Sequence, residues 1–427
     1  MSTRSATANR TMRRALAAAA VLTLPVTTAA TASAAPSASV SNPPVDRPDD
    51  LSRQVLESAQ AAGARTLQRG PGQDTRRDLD AAVDGLVQDG AVGVTARVET
   101  PGQEWRGAAG SRELDHAPPA HPQDRFRIGS ITKPMVATLV MQEVERGSLS
   151  LATPVADILP GLLPDAVGGE VTVEQLLSHR SGAPEFLTPA TLARMDDPES
   201  VEEFFDVLGE EYDDAGLVAA GASLPWMFEP GTDFSYSNTG YIVLGMMLEE
   251  LTGRSVSDLL EERVFAPAGM RHTDMPDEPG TKGPFLVGAG YAGEEYGGWY
   301  NLDHQDPSLF SSAGAVTSTT RDLDAFLEAL LAGDLVAPEL VDQMLVPLST
   351  AEMQYGLGVY RVPDPCAPGE YLYGHDGATY GTVSVALSSR DGERQLELGI
   401  NGRNVSDDPA ALYDINEVLV PMMQATC

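Results

Sequence analysis

Strand-forming sequence lies towards both ends of this 427-residue chain and helix-forming sequence fills the middle, an order that few architectures accommodate. Residues 91–100 read as a β-branched strand, and a hairpin through Pro101-Gly102 returns the chain along 104–109. Strand patterns return at 354–362, 379–389 and 395–401. From about 150 to 285 the chain carries helical pieces cut by Pro and Gly, among them 173–178 and 241–251. Leu79, Ala82, Val83 and Leu86 give 74–88 a helical period, and a helix around 410–424 ends the chain. The predicted class is α/β: an antiparallel sheet flanked by helices, with an inserted, mainly helical subdomain at about 150–285. The sequence contains no internal repeat.

The first 34 residues have the order of an export signal: Arg4, Arg10, Arg13 and Arg14, an apolar run from Ala15 to Val26, then Ala32-Ser33-Ala34. Residues 35–73, rich in Pro, Ser, Asp and Arg, read as a flexible spacer, with some helical character from Leu51 to Leu67, so the folded domain is expected at 74–427. The apolar run is too short to span a bilayer, and the mature chain is expected to be extracellular, without a membrane anchor, and monomeric. Removing four arginines leaves 24 basic against 62 acidic residues, a net charge of −38, which disfavours nucleic acid as a partner. Cys366 and Cys427, in a chain bound for an oxidising compartment, are expected to pair. In the chain-entropy model a loop of that length is worth about 4 kcal/mol.

Basic residues are almost all arginine, and the only two lysines are Lys133 and Lys282. A retained lysine marks a place that needs an amine able to give up its proton, which arginine does not do. Lys133 follows Ser130 by three residues, and Met135, Val136, Leu139, Val140 and Val144 give 130–145 a helical period. On one helix face the amine reaches the hydroxyl, and a desolvated lysine is a base that can activate serine. The helix N-terminus adds positive potential beside a developing oxyanion. Taken alone, Ser-x-x-Lys is better served by an N-cap serine and an exposed lysine.

Two further stretches add to it. Tyr236-Ser237-Asn238 offers a phenol to relay a proton and an amide to hold both lysine and substrate carbonyl. Tyr373-Gly374-His375-Asp376-Gly377-Ala378 offers small residues along which a substrate backbone can lie, with the Ala378 N–H completing an oxyanion hole with that of Ser130. The other five histidines read as structural.

In order and type these stretches resemble the Ser-x-x-Lys, Tyr-x-Asn and His-x-Gly elements of the β-lactamase-like serine hydrolases, a family that includes class C β-lactamases, DD-peptidases, D-aminopeptidases and certain esterases. Arg125–Gly129, Leu176–Gly182 and Ser312–Val316 support the resemblance, which runs from about Asp74 to Cys427. It is strongest to secreted soluble D-alanyl-D-alanine carboxypeptidases, which share a similarly placed cysteine pair. The resemblance implies a β-lactamase/transpeptidase-like fold and an acyl-enzyme on Ser130. It assigns proton transfer to Lys133 and Tyr236, substrate positioning to Asn238, and assistance near Tyr236 to His375. It also implies peptide or peptidoglycan-derived substrates, binding of β-lactams, and no metal or cofactor.

The chain departs from those carboxypeptidases where they hold the substrate's terminal carboxylate. Asp376, Ala378 and Tyr360 stand where threonines and an arginine are expected, with Arg361 shifted by one residue. An aspartate repels a carboxylate and welcomes an amine. β-Lactamase, esterase and D-aminopeptidase activities therefore remain alternatives at this centre, as does a catalytically inactive wall-binding protein. Neither Gly-x-Ser-x-Gly nor His-Glu-x-x-His occurs, and Gly288–Gly293, which fits a dinucleotide pattern, lacks a following apolar helix and reads as a loop.

Overall fold

A computed structural model describes residues 49–64, 73–114, 118–280, 282–349, 354–406 and 412–427, all within one compact unit, 42–427. The expected leader 1–34 lies outside the described residues.

Seven strands form the central sheet: β1 (Gly93–Thr100), β2 (Gln103–Gly110), β3 (Gln354–Tyr355), β4 (Tyr360–Pro363), β5 (Tyr371–Ala378), β6 (Thr382–Ser389) and β7 (Gln395–Asn401). Their order is β2-β1-β7-β6-β5-β4-β3, with every neighbouring pair antiparallel. The N-terminal hairpin, turned at Gly102 with its positive φ, joins the C-terminal strands through β1 and β7, where Gly93 faces Asn401. The two ends of the chain thus build one sheet around the intervening helical segment, as the pattern of strands and helices predicts.

Helices α1 (Asp49–Gly63), α2 (Gln73–Gln88) and α6 (Asn416–Ala425) cover one face of the sheet, burying Val55, Leu79, Val83 and Leu419 against Val94, Val385 and Leu398. Helices α3 (Thr132–Arg146), α4 (Asn238–Thr252) and α5 (Thr320–Ala332) share the second core, on the opposite face, with the helical segment. A disulfide joins Cys366, in the loop after β4, to Cys427 beyond α6. No helix among the described residues is long and apolar enough to cross a membrane.

The structure corrects four boundaries. Residues 49–63 of the expected spacer form α1, which buries Ser52, Val55, Ser58, Ala59 and Ala62 against α6 and the sheet. The single strand expected at 354–362 is two short strands reversed at Gly356–Val359, where Gly358 takes a positive φ. Residues 373–378, expected to lead into a strand at 379, are themselves the end of β5, and 379–381 is the turn into β6. Ala289–Tyr291, expected as loop, is a short strand beside Trp299–Asn301.

Candidate active site

Ser130 lies in a 3-10 turn, Gly129–Ile131, that runs into α3, and Lys133 is in the first turn of that helix. The Lys133 Nζ is fully buried and lies 2.8 Å from Ser130 Oγ, 2.7 Å from Asn238 Oδ1 and 2.9 Å from the Ala313 carbonyl. Burial lowers its pKa to about 7, against the opposing pull of Glu185 and Asp376. A neutral amine has two N–H groups, which satisfy Asn238 and Ala313. Its lone pair then points at the serine hydroxyl, the arrangement a general base needs.

Tyr236, just before α4, places its ring 4.9 Å from Lys133 Nζ and lines the cavity that holds Ser130. Burial holds its phenol well above the usual range, so it is a proton donor rather than a phenolate. The ring stacks on His179 at 4.1 Å between centroids. His179 accepts the Ser237 N–H at 3.2 Å, so a histidine that reads as structural in the sequence sets the tilt of Tyr236. Burial keeps His179 neutral, its pKa well below the usual value. His375 is also neutral, pushed by burial to about 3. Its Nδ1 pairs with the Asp376 carbonyl, so the other nitrogen, 3.0 Å from Tyr355, accepts that hydroxyl. The expected assistance of His375 to Tyr236 is not a direct bond: the two rings are 6.2 Å apart and the His375 nitrogen bonds Tyr355 instead.

Close backbone approach builds the oxyanion side. Gly129 has φ +52°, and a Cβ there would sit 2.6 Å from the Ala378 nitrogen; a Cβ on Gly377 would sit 2.9 Å from the Ser130 nitrogen. A side chain at either position would collide with that backbone, so glycine is needed for Gly129 to lie against Ala378 and for Gly377 to lie against Ser130.

A small cavity of about 30 Å³ opens over Ser130. Tyr236, Asn238, Ala378, Asp376, Leu51, Leu187 and Phe310 line it, and no arginine does. Arg361, expected to touch substrate, is turned away: it donates to Gln354 Oε1 at 2.8 Å and lies 3.8 Å from the centroid of Tyr371. Successive strand residues face opposite sides, so the one-residue shift that brings Tyr360 beside His375 sends Arg361 out of the site. Asp376 is buried, and that burial raises its carboxyl to about 6 while Ser52 and Tyr360 pull it back down.

Residues 79–396 match the model of the family described as Beta-lactamase. The chain belongs to the Beta-lactamase family. Among curated members of similar sequence, "Penicillin-binding protein 4" of Amycolatopsis lactamdurans is 40% identical over 156 residues, 36% of this chain and 37% of that protein. "Esterase EstB" of Burkholderia gladioli is 32% identical over 198 residues, 45% of this chain and 50% of that protein. The match thus spans half or less of those two relatives. Among solved structures, a D-stereospecific amidohydrolase from Streptomyces sp. superposes with a TM-score of 0.69 at 29% identity, covering 78% of this chain and 94% of that one. D-amino acid amidase from Ochrobactrum anthropi SV3 gives 0.69 at 26%, covering 83% and 98%.

Sequence patterns miss Glu185. Its buried carboxylate accepts from the Asn238 backbone N–H at 2.8 Å, the Asn238 Nδ2 at 3.1 Å and the Leu187 N–H at 3.1 Å. Three donors around two oxygens suit an ionised acid, although burial raises its pKa. Because the Asn238 NH2 is spent on Glu185, its oxygen must face Lys133. The only available signal was the position of Glu185 three residues after Gly182, at the end of a stretch that already resembles the family.

Proposed function

We propose that this serine hydrolase cleaves the amide bond on the carbonyl side of a D-amino acid that carries a free amine. The observation that carries the assignment is Asp376: a buried carboxylate in the wall of the Ser130 cavity, with no guanidinium among the lining residues. Such a wall attracts an ammonium and repels the terminal carboxylate that a carboxypeptidase must hold. The likeness to a D-stereospecific amidohydrolase and a D-amino acid amidase supports the same substrate class.

In the proposed reaction, Ser130 Oγ attacks the carbonyl carbon and its proton passes to Lys133 Nζ. The oxyanion rests on the Ser130 and Ala378 N–H groups. Lys133 and Tyr236 return the proton to the departing amine, and the C–N bond breaks to leave an ester on Ser130. Water then attacks that ester, giving its proton back to the serine through the same pair, and the free D-amino acid leaves. The signal-like residues 1–34 and the disulfide support export to the cell exterior.

A second reading, acylation by β-lactams, is favoured by the 40% identity to a penicillin-binding protein, and the Ser130–Lys133 pair serves both chemistries. Kinetics on D-alanine p-nitroanilide and its des-amino analogue separate the two. The proposal predicts a preference for the amine, which Asp376→Asn removes mainly through KM, by roughly 30- to 150-fold for a charge pair of about 2–3 kcal/mol. Equal use of both substrates, or an unchanged preference in Asp376→Asn, would overturn it.

A further inference from the structure

Helix α1 ends its sheet-covering path at the catalytic cavity. Leu51, in its first turn, is one of the residues lining that cavity, and the Ser52 hydroxyl donates to Asp376 Oδ1 at 2.6 Å. The helix is seated firmly. Val55, Ala59 and Ala62 are buried in the core shared with α6, Ser58 pairs with Asn416, and the Gln424 amide donates to the Ala62 carbonyl at 3.3 Å. Gly63 packs against Pro365, next to the cysteine that ties the end of the chain to this loop. The family match covers residues 79–396, so α1 lies outside it.

This helix bears on what fits. The cavity over Ser130 is small, and Leu51 forms part of its wall beside Asp376. A substrate amine that reaches Asp376 meets a carboxylate already flanked by the Ser52 and Tyr360 hydroxyls. On the α1 side of that amine stand Leu51, in the cavity wall, and Ser52, bonded to the same carboxylate. An overlap of even one or two heavy atoms in a close-packed wall forces side chains or backbone to shift.

Resting on the amine-anchoring role proposed for Asp376, we infer that the first turn of α1 is the end wall of the acyl subsite. Leu51 and Ser52 are then specificity-determining residues that make the enzyme exo-acting: it takes an unextended D-amino acid residue and rejects one with a further residue on its nitrogen. Charge selects the amine through Asp376, and shape forbids extension through α1. The two effects are separable because they reside on different elements.

The test compares kcat/KM for D-alanine p-nitroanilide and glycyl-D-alanine p-nitroanilide in the full-length protein. The wild type is expected to favour the unextended substrate. In Leu51→Ala/Ser52→Gly the ratio of extended to unextended turnover should rise roughly tenfold or more, the scale on which pocket size discriminates. Leu51→Trp should move the ratio the other way, which guards against an effect of loosened packing. A wild type that favours the unextended substrate, with a ratio indifferent to all three substitutions, overturns the wall and leaves the amine anchor standing. A wild type that favours the extended substrate overturns the amine anchor, and the wall with it.

Discussion

Replacing Glu185 with glutamine tests whether that carboxylate positions the catalytic base. The wild-type acid offers acceptors to three N–H groups, two of them from Asn238. Glutamine supplies one oxygen and one NH2, so at least one donor loses its partner and Asn238 is free to flip. A flipped amide turns NH2 towards Lys133, whose Nζ–H then has no acceptor at the 2.7 Å position. Losing one hydrogen bond to a charged group costs about 1.5–3 kcal/mol, which corresponds to a fall in kcat/KM of roughly 10- to 150-fold. The charge has a second effect. Glu185 favours the ammonium form of Lys133, so its removal lowers the lysine pKa further below about 7. The limb of the pH–kcat profile that reports lysine deprotonation should therefore move to lower pH in Glu185→Gln and stay in place in Glu185→Asp. Stopped-flow acylation across pH 4–9 reads both effects. A Glu185→Gln enzyme with reduced thermal stability but an unmoved limb would refute the positioning role.

Other outcomes follow from the same geometry. Because ionised Asp376 is needed to hold the amine, KM for amine substrates should rise as pH falls through about 6, while kcat rises as pH increases through about 7, where Lys133 loses its proton; initial-rate profiles with Asp376→Asn should lack the first limb. Glu397 is buried, both its carboxylate oxygens lack hydrogen-bond partners, and Arg97 stands 3.9 Å away among Glu99, Glu104 and Asp324. Burial raises its pKa well above the usual value, so its ionisation opposes folding increasingly as pH rises above about 4.3. Glu397→Gln should then stabilise the protein by about 1–2 kcal/mol at pH 7 and by nothing near pH 4, read by urea denaturation. Cys366→Ser should cost about 4 kcal/mol in the same assay, from a loop of 61 residues between the half-cystines.

The parts of this molecule legible in its sequence are those encoded locally or by period. Ser130 and Lys133 meet because three residues of helix place them together. The β1–β2 hairpin announces itself through Pro101-Gly102, and the separation of strand patterns at the two ends specifies an inserted helical segment. Glu185 was illegible because nothing near it in sequence explains its burial; only the packing of its loop against α4 brings it to Asn238. The helical character of α1 is legible at 51–67, but its place in the folded domain is not, since most of its buried positions are filled by Ser52, Ser58, Ala59 and Ala62, residues common in spacers. Arg361 shows how little separates a binding residue from a bystander in a strand, where a shift of one position exchanges the faces of the sheet. The strand at 373–378 was masked by its glycines, which sequence rules assign to turns; here Gly377 lies against Ser130 and Gly374 against Ala386 of the neighbouring strand.

The central claim is an acyl-enzyme formed on Ser130 by a D-amino acid carrying a free amine. Its most direct test is intact-mass spectrometry after rapid acid quench of the protein mixed with D-phenylalanine methyl ester, followed by peptide mapping. The expected result is a phenylalanyl adduct on Ser130, absent in Ser130→Ala and absent with the L-enantiomer. An adduct that persists in Ser130→Ala, or that forms equally from the L-ester or the des-amino ester, would contradict the account.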